Sequence, residues 1–258
     1  MEKADFKDYR NEIVGFFSRH CVPLYVEYEK DKGIRRGVYS AFVISIQEKW
    51  FLITAGHCLR EIENCQNEGY KIIKMDLVDC IGNNPKHFHS VPFDYKPELS
   101  CYMYSDGYDY GVLLIEDYFC SSLKANGIIP LCEDVWDKQP SDPDFYAMLG
   151  IPSQISEFTE DEMVISSVLI GVKRNDSLSS EFEKNNAPTL YGQIEIDGFI
   201  SDIKGMSGGP IFSFKIDEDG KLRYWLCAVQ SRWLDGKKLI AACLMKPFAS
   251  YLKEMLMG

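Results

Sequence analysis

The stretch Lys204 to Phe212, "KGMSGGPIF", sets one serine between Gly205 on one side and Gly208, Gly209 and Pro210 on the other. It is either a Gly-Pro turn or a nucleophile presented by its own backbone. Glycines adopt conformations that a Cβ disfavours, and they let a carbonyl approach closely. Met206, immediately before Ser207, is bulky and serves neither reading in an obvious way. After the serine the chain continues as "GGPIFSF", a proline and a β-like apolar run instead of a helix.

Around that stretch, a chain of 258 residues with 46% apolar and 13% aromatic content can bury one large core or two small ones. Twenty-eight basic residues against thirty-nine acidic ones give a net charge of −11, which disfavours a nucleic-acid partner bound by phosphate neutralisation. The start, "MEKADFKDYRNE", is charged where a signal peptide needs an apolar run, and no later stretch has the length of a membrane span. A cytoplasmic protein without a membrane partner is expected. Nine cysteines without a C-x-x-C pair indicate neither a disulfide framework nor a zinc ribbon, so reduced, mostly buried thiols are expected.

Short apolar or alternating runs separated by Gly, Pro, Asn and Asp dominate the chain, which reads as mostly β. Strands are expected over 38–46, 50–54, 72–78, 111–116, 146–150, 164–172, 190–196 and 224–230. In "LYGQIEID", Leu190, Ile194 and Ile196 fall on one face and Tyr191, Gln193 and Glu195 on the other. Asp235-Gly236 signals a hairpin. Helical periodicity is confined to the ends, where Phe6, Tyr9, Ile13 and Phe16 recur at helix spacing and where Pro247 opens a last helix. The acidic, Pro-containing stretch "CEDVWDKQPSDPD", Cys132 to Asp144, reads as a linker between two β halves.

His57 stands at the end of an apolar run in "WFLITAGHCL", and Asp109 opens another in "GYDYGVLLI". Taken singly, each is as readily structural as functional. Together with Ser207 they supply what acyl transfer needs: a hydroxyl, an imidazole to take its proton, and a carboxylate to fix the imidazole tautomer. The amides of Gly205 and Ser207 could converge on the developing oxyanion. The match of "GMSGG" to the nucleophile elbow of α/β-hydrolases fails on chain order, because His20, His57, His87 and His89 all precede Ser207.

"TAGHC" with His57, "DYGVLLI" with Asp109 and "GMSGGP" with Ser207, in that order, resemble the signature blocks of the trypsin-like (chymotrypsin-fold) serine peptidases. The aspartate block is loose, with Gly111 where alanine is usual. The resemblance implies an all-β fold of two six-stranded antiparallel β-barrels with the active site in the cleft between them, and helices at both ends. On this division an N-terminal helix occupies 1–19, the first barrel 20–131, the linker 132–144, the second barrel 145–246 and the C-terminal helix 247–258. It also implies catalytic roles for His57, Asp109 and Ser207, an oxyanion hole at Gly205 and Ser207, and a substrate pocket near Ser201, Asp202, Lys204 and Arg232, whose signals conflict on the side chain preferred.

Two departures bear on regulation. Phe42 occupies the region where secreted relatives carry the cysteine partner of Cys58, so no such disulfide is expected. "EIVGFF" at Ile13 resembles the new N-terminus of a cleaved zymogen, but that activation needs an aspartate before the serine, and position 206 is methionine. Met206 therefore points to a bacterial intracellular-type branch restrained by other means, with the Gly205 loop collapsed until a partner binds as one such means. His87 and His89 form an H-x-H pair without a third ligand, so neither a metal nor a cofactor is expected. Tyr102, Tyr104, Tyr108 and Tyr110 are expected to wall the cleft. The expected activity is limited proteolysis of a protein substrate, with a regulatory partner or effector in a bacterial regulatory or antiviral defence system. A catalytically silent protein-binding module on the same fold is the alternative.

Overall fold

The computed structural model describes residues 13–79, 90–158, 163–196 and 200–257. Residues 13–17 are helical and run into a 3-10 turn, Ser18–His20. Phe6, Tyr9, His87 and His89 lie outside the described residues.

Eight strands build the first half: β1 (Leu24–Lys30), β2 (Gly33–Tyr39), β3 (Phe42–Ile46), β4 (Lys49–Thr54), β5 (Lys71–Val78), β6 (Ser90–Pro92), β7 (Ser100–Ser105) and β8 (Tyr108–Ile115). They form two four-stranded sheets, ordered β2-β1-β5-β6 and β3-β4-β8-β7, around a barrel-like core. Four of the strands are joined by two-residue turns in which both residues have positive φ: Asp31 and Lys32 between β1 and β2, Gln47 and Glu48 between β3 and β4. Asp106 and Gly107 do the same between β7 and β8. Such turns match the twist of the strands they join.

The second half is a closed antiparallel barrel, ordered β12-β13-β16-β15-β14-β9. Its strands are β9 (Phe145–Gly150), β12 (Val168–Arg174), β13 (Thr189–Ile194), β14 (Pro210–Ile216), β15 (Leu222–Leu234) and β16 (Leu239–Leu244). The short pair β10 (Glu157–Phe158) and β11 (Met163–Val164) lies apart. The chain therefore has the chymotrypsin-like fold, mostly β, with short helices at its ends.

Strands at the seam between the halves are apolar on both faces. On β3, Phe42, Ile44 and Ile46 point to the seam while Val43 points into the first core. On β9, Ala147 and Leu149 meet the seam while Met148 fills the second barrel. Phe212 and Phe214 of β14 complete the seam, and Phe17 packs on Phe212 with ring centroids 4.5 Å apart. Met206 is fully buried among the residues that fill the second barrel, which accounts for an apolar residue at that position.

Four helices are added: α1 (Gly56–Asn67), α2 (Asp117–Ala125), α3 (Glu133–Trp136) and α4 (Met245–Met257). Helix is thus not confined to the chain ends. α1 follows β4 directly and carries His57, and it buries Cys58, Leu59, Ile62 and Cys65, a stripe at helical spacing. The segment 132–144 is anchored instead of free, because Trp136 of α3 is buried in the seam. α4 starts at Met245, two residues before Pro247. The run 164–172 breaks at residues 165–167, and 38–46 breaks at Ser40 and Ala41. The hairpin at Asp235-Gly236 is present, with Lys238 left-handed at its end. The eight described cysteines are free thiols, and Phe42 pairs across the sheet with Ile53.

Replacing Trp136 with Ala should cost about 3–5 kcal/mol of stability, the usual range for emptying a large aromatic site. Denaturant unfolding of the two chains measures this. A loss below about 1 kcal/mol would mean that the segment 132–144 behaves as a free linker.

Candidate active site

Each of the three residues is delivered by a different kind of element. His57 sits in the first turn of α1, where Gly56 allows close packing: a Cβ there would come within 2.5 Å of Met103 O and 2.9 Å of Tyr110 O. Asp109 lies in β8 and is 3% exposed. Gly111 on the same strand faces Ala55 O and Leu59, each 3.0 Å from where a Cβ would be, so close helix packing accounts for the glycine in the aspartate block.

Asp109 accepts three hydrogen bonds. His57 N–H donates to Oδ1 at 2.8 Å, the His57 ring through Nδ1 to Oδ2 at 2.7 Å, and Ser231 Oγ to Oδ2 at 2.5 Å. Burial alone would raise the Asp109 pKa, but the His57 ring and the other donors outweigh it and lower it. Burial alone would likewise lower the His57 pKa, and the hydrogen bond to Asp109 reverses the direction and raises it. Because an ionised carboxylate only accepts, the neutral ring carries its proton on Nδ1, and Nε2 is then the acceptor.

Ser207 lies in a tight loop between Gly205 and Gly208, whose φ values are +90° and +89°. Met206 N–H donates to Ile203 O at 3.0 Å, and Gly209 N–H to Met206 O at 3.0 Å. The Lys204 carbonyl is turned aside to accept from Ser153 N–H at 2.7 Å. In a trans peptide the next N–H points the opposite way, so the Gly205 N–H is directed away from Ser153. Among the described residues, neither Gly205 N–H nor Ser207 N–H has an acceptor. Ser207 Oγ has Ser231 O at 3.5 Å, the limit of a hydrogen bond, and Cys58 Sγ lies 3.8 Å from Ser207 O.

Two residues from the first half hold this loop. Ser40 Oγ donates to Gly205 O at 2.7 Å and accepts from Ile151 N–H at 2.8 Å, while Thr54 Oγ1 donates to Ser40 O at 2.8 Å. Gly208 passes so close that a Cβ would lie 2.2 Å from Thr54 Oγ1 and 2.3 Å from Ser40 O. These contacts hold the loop in an ordered conformation in this structure.

His57 lines two cavities. One, of about 310 Å³, is also lined by Arg35, Arg36, Tyr39, Gly205 and Ser207. The other, of about 660 Å³, is lined by Arg60, Tyr104, Asp106, Asp109, Ser231 and Arg232 among others. Of the pocket residues read from sequence, Arg232 reaches this site. Ser201, Asp202 and Lys204 line neither cavity: Gln154 Oε1 accepts from Ser201 N–H at 2.9 Å and from Asp202 N–H at 3.3 Å, and Lys204 Nζ turns to Asp202 Oδ2 at 3.2 Å. Tyr104 and Tyr108 wall the larger cavity, and Tyr104 lies edge-on to His57. Tyr110 instead stacks on Phe248 in the seam, and Tyr102 bonds to Glu63 on the surface. Ser40, Thr54, Ser153 and Ser231 escaped the sequence reading because no local pattern marks a serine or threonine whose partner is far along the chain.

No family model matches the sequence, and a comparison with curated proteins finds no match. Solved structures do resemble it. The scabies mite inactivated protease paralogue S-I1 aligns over 99% of this chain and 98% of its own, with a TM-score of 0.55 and 13% identity. The active form of the Rv3671c protease from M. tuberculosis aligns over 96% of this chain and 86% of its own, with a TM-score of 0.51 and 14% identity. Both likenesses show a shared protease fold. Among the described residues no group of His, Cys, Asp and Glu side chains is placed to hold a metal ion, and no helix is long and apolar enough to cross a membrane.

Ser40→Ala leaves the Ile151 N–H and the Gly205 carbonyl without their partner. It should cost about 1–3 kcal/mol in denaturant unfolding and slow labelling of Ser207 by a fluorophosphonate. Labelling at the wild-type rate would show that the loop does not depend on this hydroxyl.

Proposed function

We propose that the chain is a serine endopeptidase of trypsin-like chemistry, acting by limited proteolysis on a protein partner. The observation that carries this reading is the buried Asp109 bonded to a half-buried His57 that lines the same cleft as Ser207, beside two unengaged amides. As Ser207 Oγ bonds the substrate carbonyl carbon, its proton passes to His57 Nε2 and the carbonyl π electrons move onto oxygen. That oxyanion faces the Gly205 and Ser207 N–H groups, worth on the order of 3 kcal/mol per donor. Collapse re-forms the carbonyl and breaks the C–N bond, and His57 returns the proton to the leaving nitrogen. Water, deprotonated by the same imidazole, then hydrolyses the acyl-enzyme.

A second reading, a silent protein-binding module, is favoured by one observation: Ser207 Oγ points to Ser231 O at 3.5 Å. One structural neighbour is named as inactivated and another as an active form, so the fold is compatible with either. Against silence, apo hydrogen bonds at catalytic serines often tighten only with substrate present. A fluorophosphonate should label wild type and leave Ser207→Ala unlabelled; equal absence of label in both would support the binding module. Mapping of new protein N-termini in cells carrying wild type or Ser207→Ala should reveal few, serine-dependent sites in one partner, as a regulatory or defence role requires. Bulk degradation would contradict it.

Asp109→Asn should keep the fold and lower turnover by on the order of 10⁴, because the wrong imidazole tautomer is then favoured. The base must be neutral to work, so kcat/KM should rise with pH. The raised His57 pKa puts that rise above the ordinary imidazole value of 6.5. A rise centred at or below that value would contradict the pairing with Asp109.

A further inference from the structure

Resting on the serine-peptidase reading, we infer that the larger cavity beside His57 selects an acidic side chain of the substrate through Arg232 and Arg60. The ionisable groups around it come from every wall: His57, Arg60 and Glu61 from α1, Asp106 and Asp109 from the β7–β8 hairpin, Glu183 from the loop before β13, and Arg232 from β15. Most of the acids are already engaged. Asp109 holds His57 and Ser231, Glu61 pairs with Arg35, and Asp106 accepts from Asn186 Nδ2 at 2.8 Å. Asp106, bonded only to that neutral amide, and the exposed Glu183 have no ionic partner within the described residues.

The cations are in the opposite condition. Arg60 lies over the Tyr104 ring at 3.7 Å and has no carboxylate among the described residues. Arg232 has none among them either. Its Nε and Nη2 are shut off from water without an acceptor, and its guanidinium stands 5.7 Å from the Phe182 ring. A partly buried cation without a counter-ion is costly, and a carboxylate brought by a ligand removes that cost. The smaller cavity offers a built-in contrast. Arg35 and Arg36 line it, but Glu61 and Glu27 already neutralise them. Acid selection therefore belongs to one side of the scissile bond, the side walled by Ser231 and Arg232.

The test uses the full chain and one library of N-acetylated random hexapeptides. Peptides retained by Ser207→Ala are sequenced, and peptides cut by wild type are sequenced in parallel. Asp or Glu should be enriched about tenfold over Asn or Gln at a single position. Enrichment should fall with added salt, disappear in Arg232→Gln and weaken in Arg60→Gln, each variant checked for folding by circular dichroism. Glu183→Gln should preserve it. Retention without acid enrichment, no retention at all, or enrichment that survives both arginine substitutions overturns the inference. Serine-dependent cleavage without acid preference would leave the peptidase reading standing while removing this one. Arg232-dependent acid binding without cleavage would do the reverse.

Discussion

One hydroxyl from the first half of the molecule, Ser40 Oγ, holds the loop that the second half uses to present Ser207. It donates to the Gly205 carbonyl and accepts from Ile151 N–H, so it ties the two strand-to-loop segments that flank the site into one unit. The apolar seam makes this geometry possible. Phe42 and Ile44 of β3 and Phe212 and Phe214 of β14 press the halves together, and Ser40 lies two residues before Phe42. The surrounding core excludes water, and a hydrogen bond made in such a place is costly to leave unmade. Met206, next to the serine, is fully buried in the second barrel, so the loop is held by packing on one side and by the Ser40 hydroxyl on the other.

The electrostatics arise from the same burial. Asp109 is almost fully enclosed, which by itself favours the neutral acid. Three converging donors reverse that, and His57 gains basicity as a consequence. Ser231 makes two contacts here: its hydroxyl donates to Asp109, and its carbonyl lies 3.5 Å from the Ser207 hydroxyl. The next residue, Arg232, turns the same strand into a wall of the larger cavity. A short segment of β15 thus links the Asp109–His57 pair to the charge that lines the larger cavity.

Much of this was legible in the sequence where the signal is local. Glycines around Ser207, the order of His57, Asp109 and Ser207, the alternation over β13 and the Asp235-Gly236 hairpin all rest on neighbouring residues. α1 was missed because its apolar stripe begins inside the "TAGHC" block and continues through polar residues, so the preceding strand masks its period. The turns at Asp31-Lys32 and Gln47-Glu48 carry no glycine. Their left-handed conformations are set by the register of the strand pairs they close, Lys30 opposite Gly33 and Ile46 opposite Lys49.

By itself, the sequence determined the residue types that acyl transfer needs, their order along the chain, and an alternating apolar pattern that can only be buried as packed β-sheets. Tertiary structure alone decided that Ser231 and the His57 amide complete the shell of Asp109, that Ser40 and Thr54 clamp the serine loop, and that Arg232 lies beside the cleft while Ser201, Asp202 and Lys204 do not. The physical reason is range. Backbone preference and periodicity act over a few residues, whereas a buried polar group is satisfied by whatever the fold brings within about 3 Å of it, and for Ser40 and Ser231 that partner lies more than a hundred residues away.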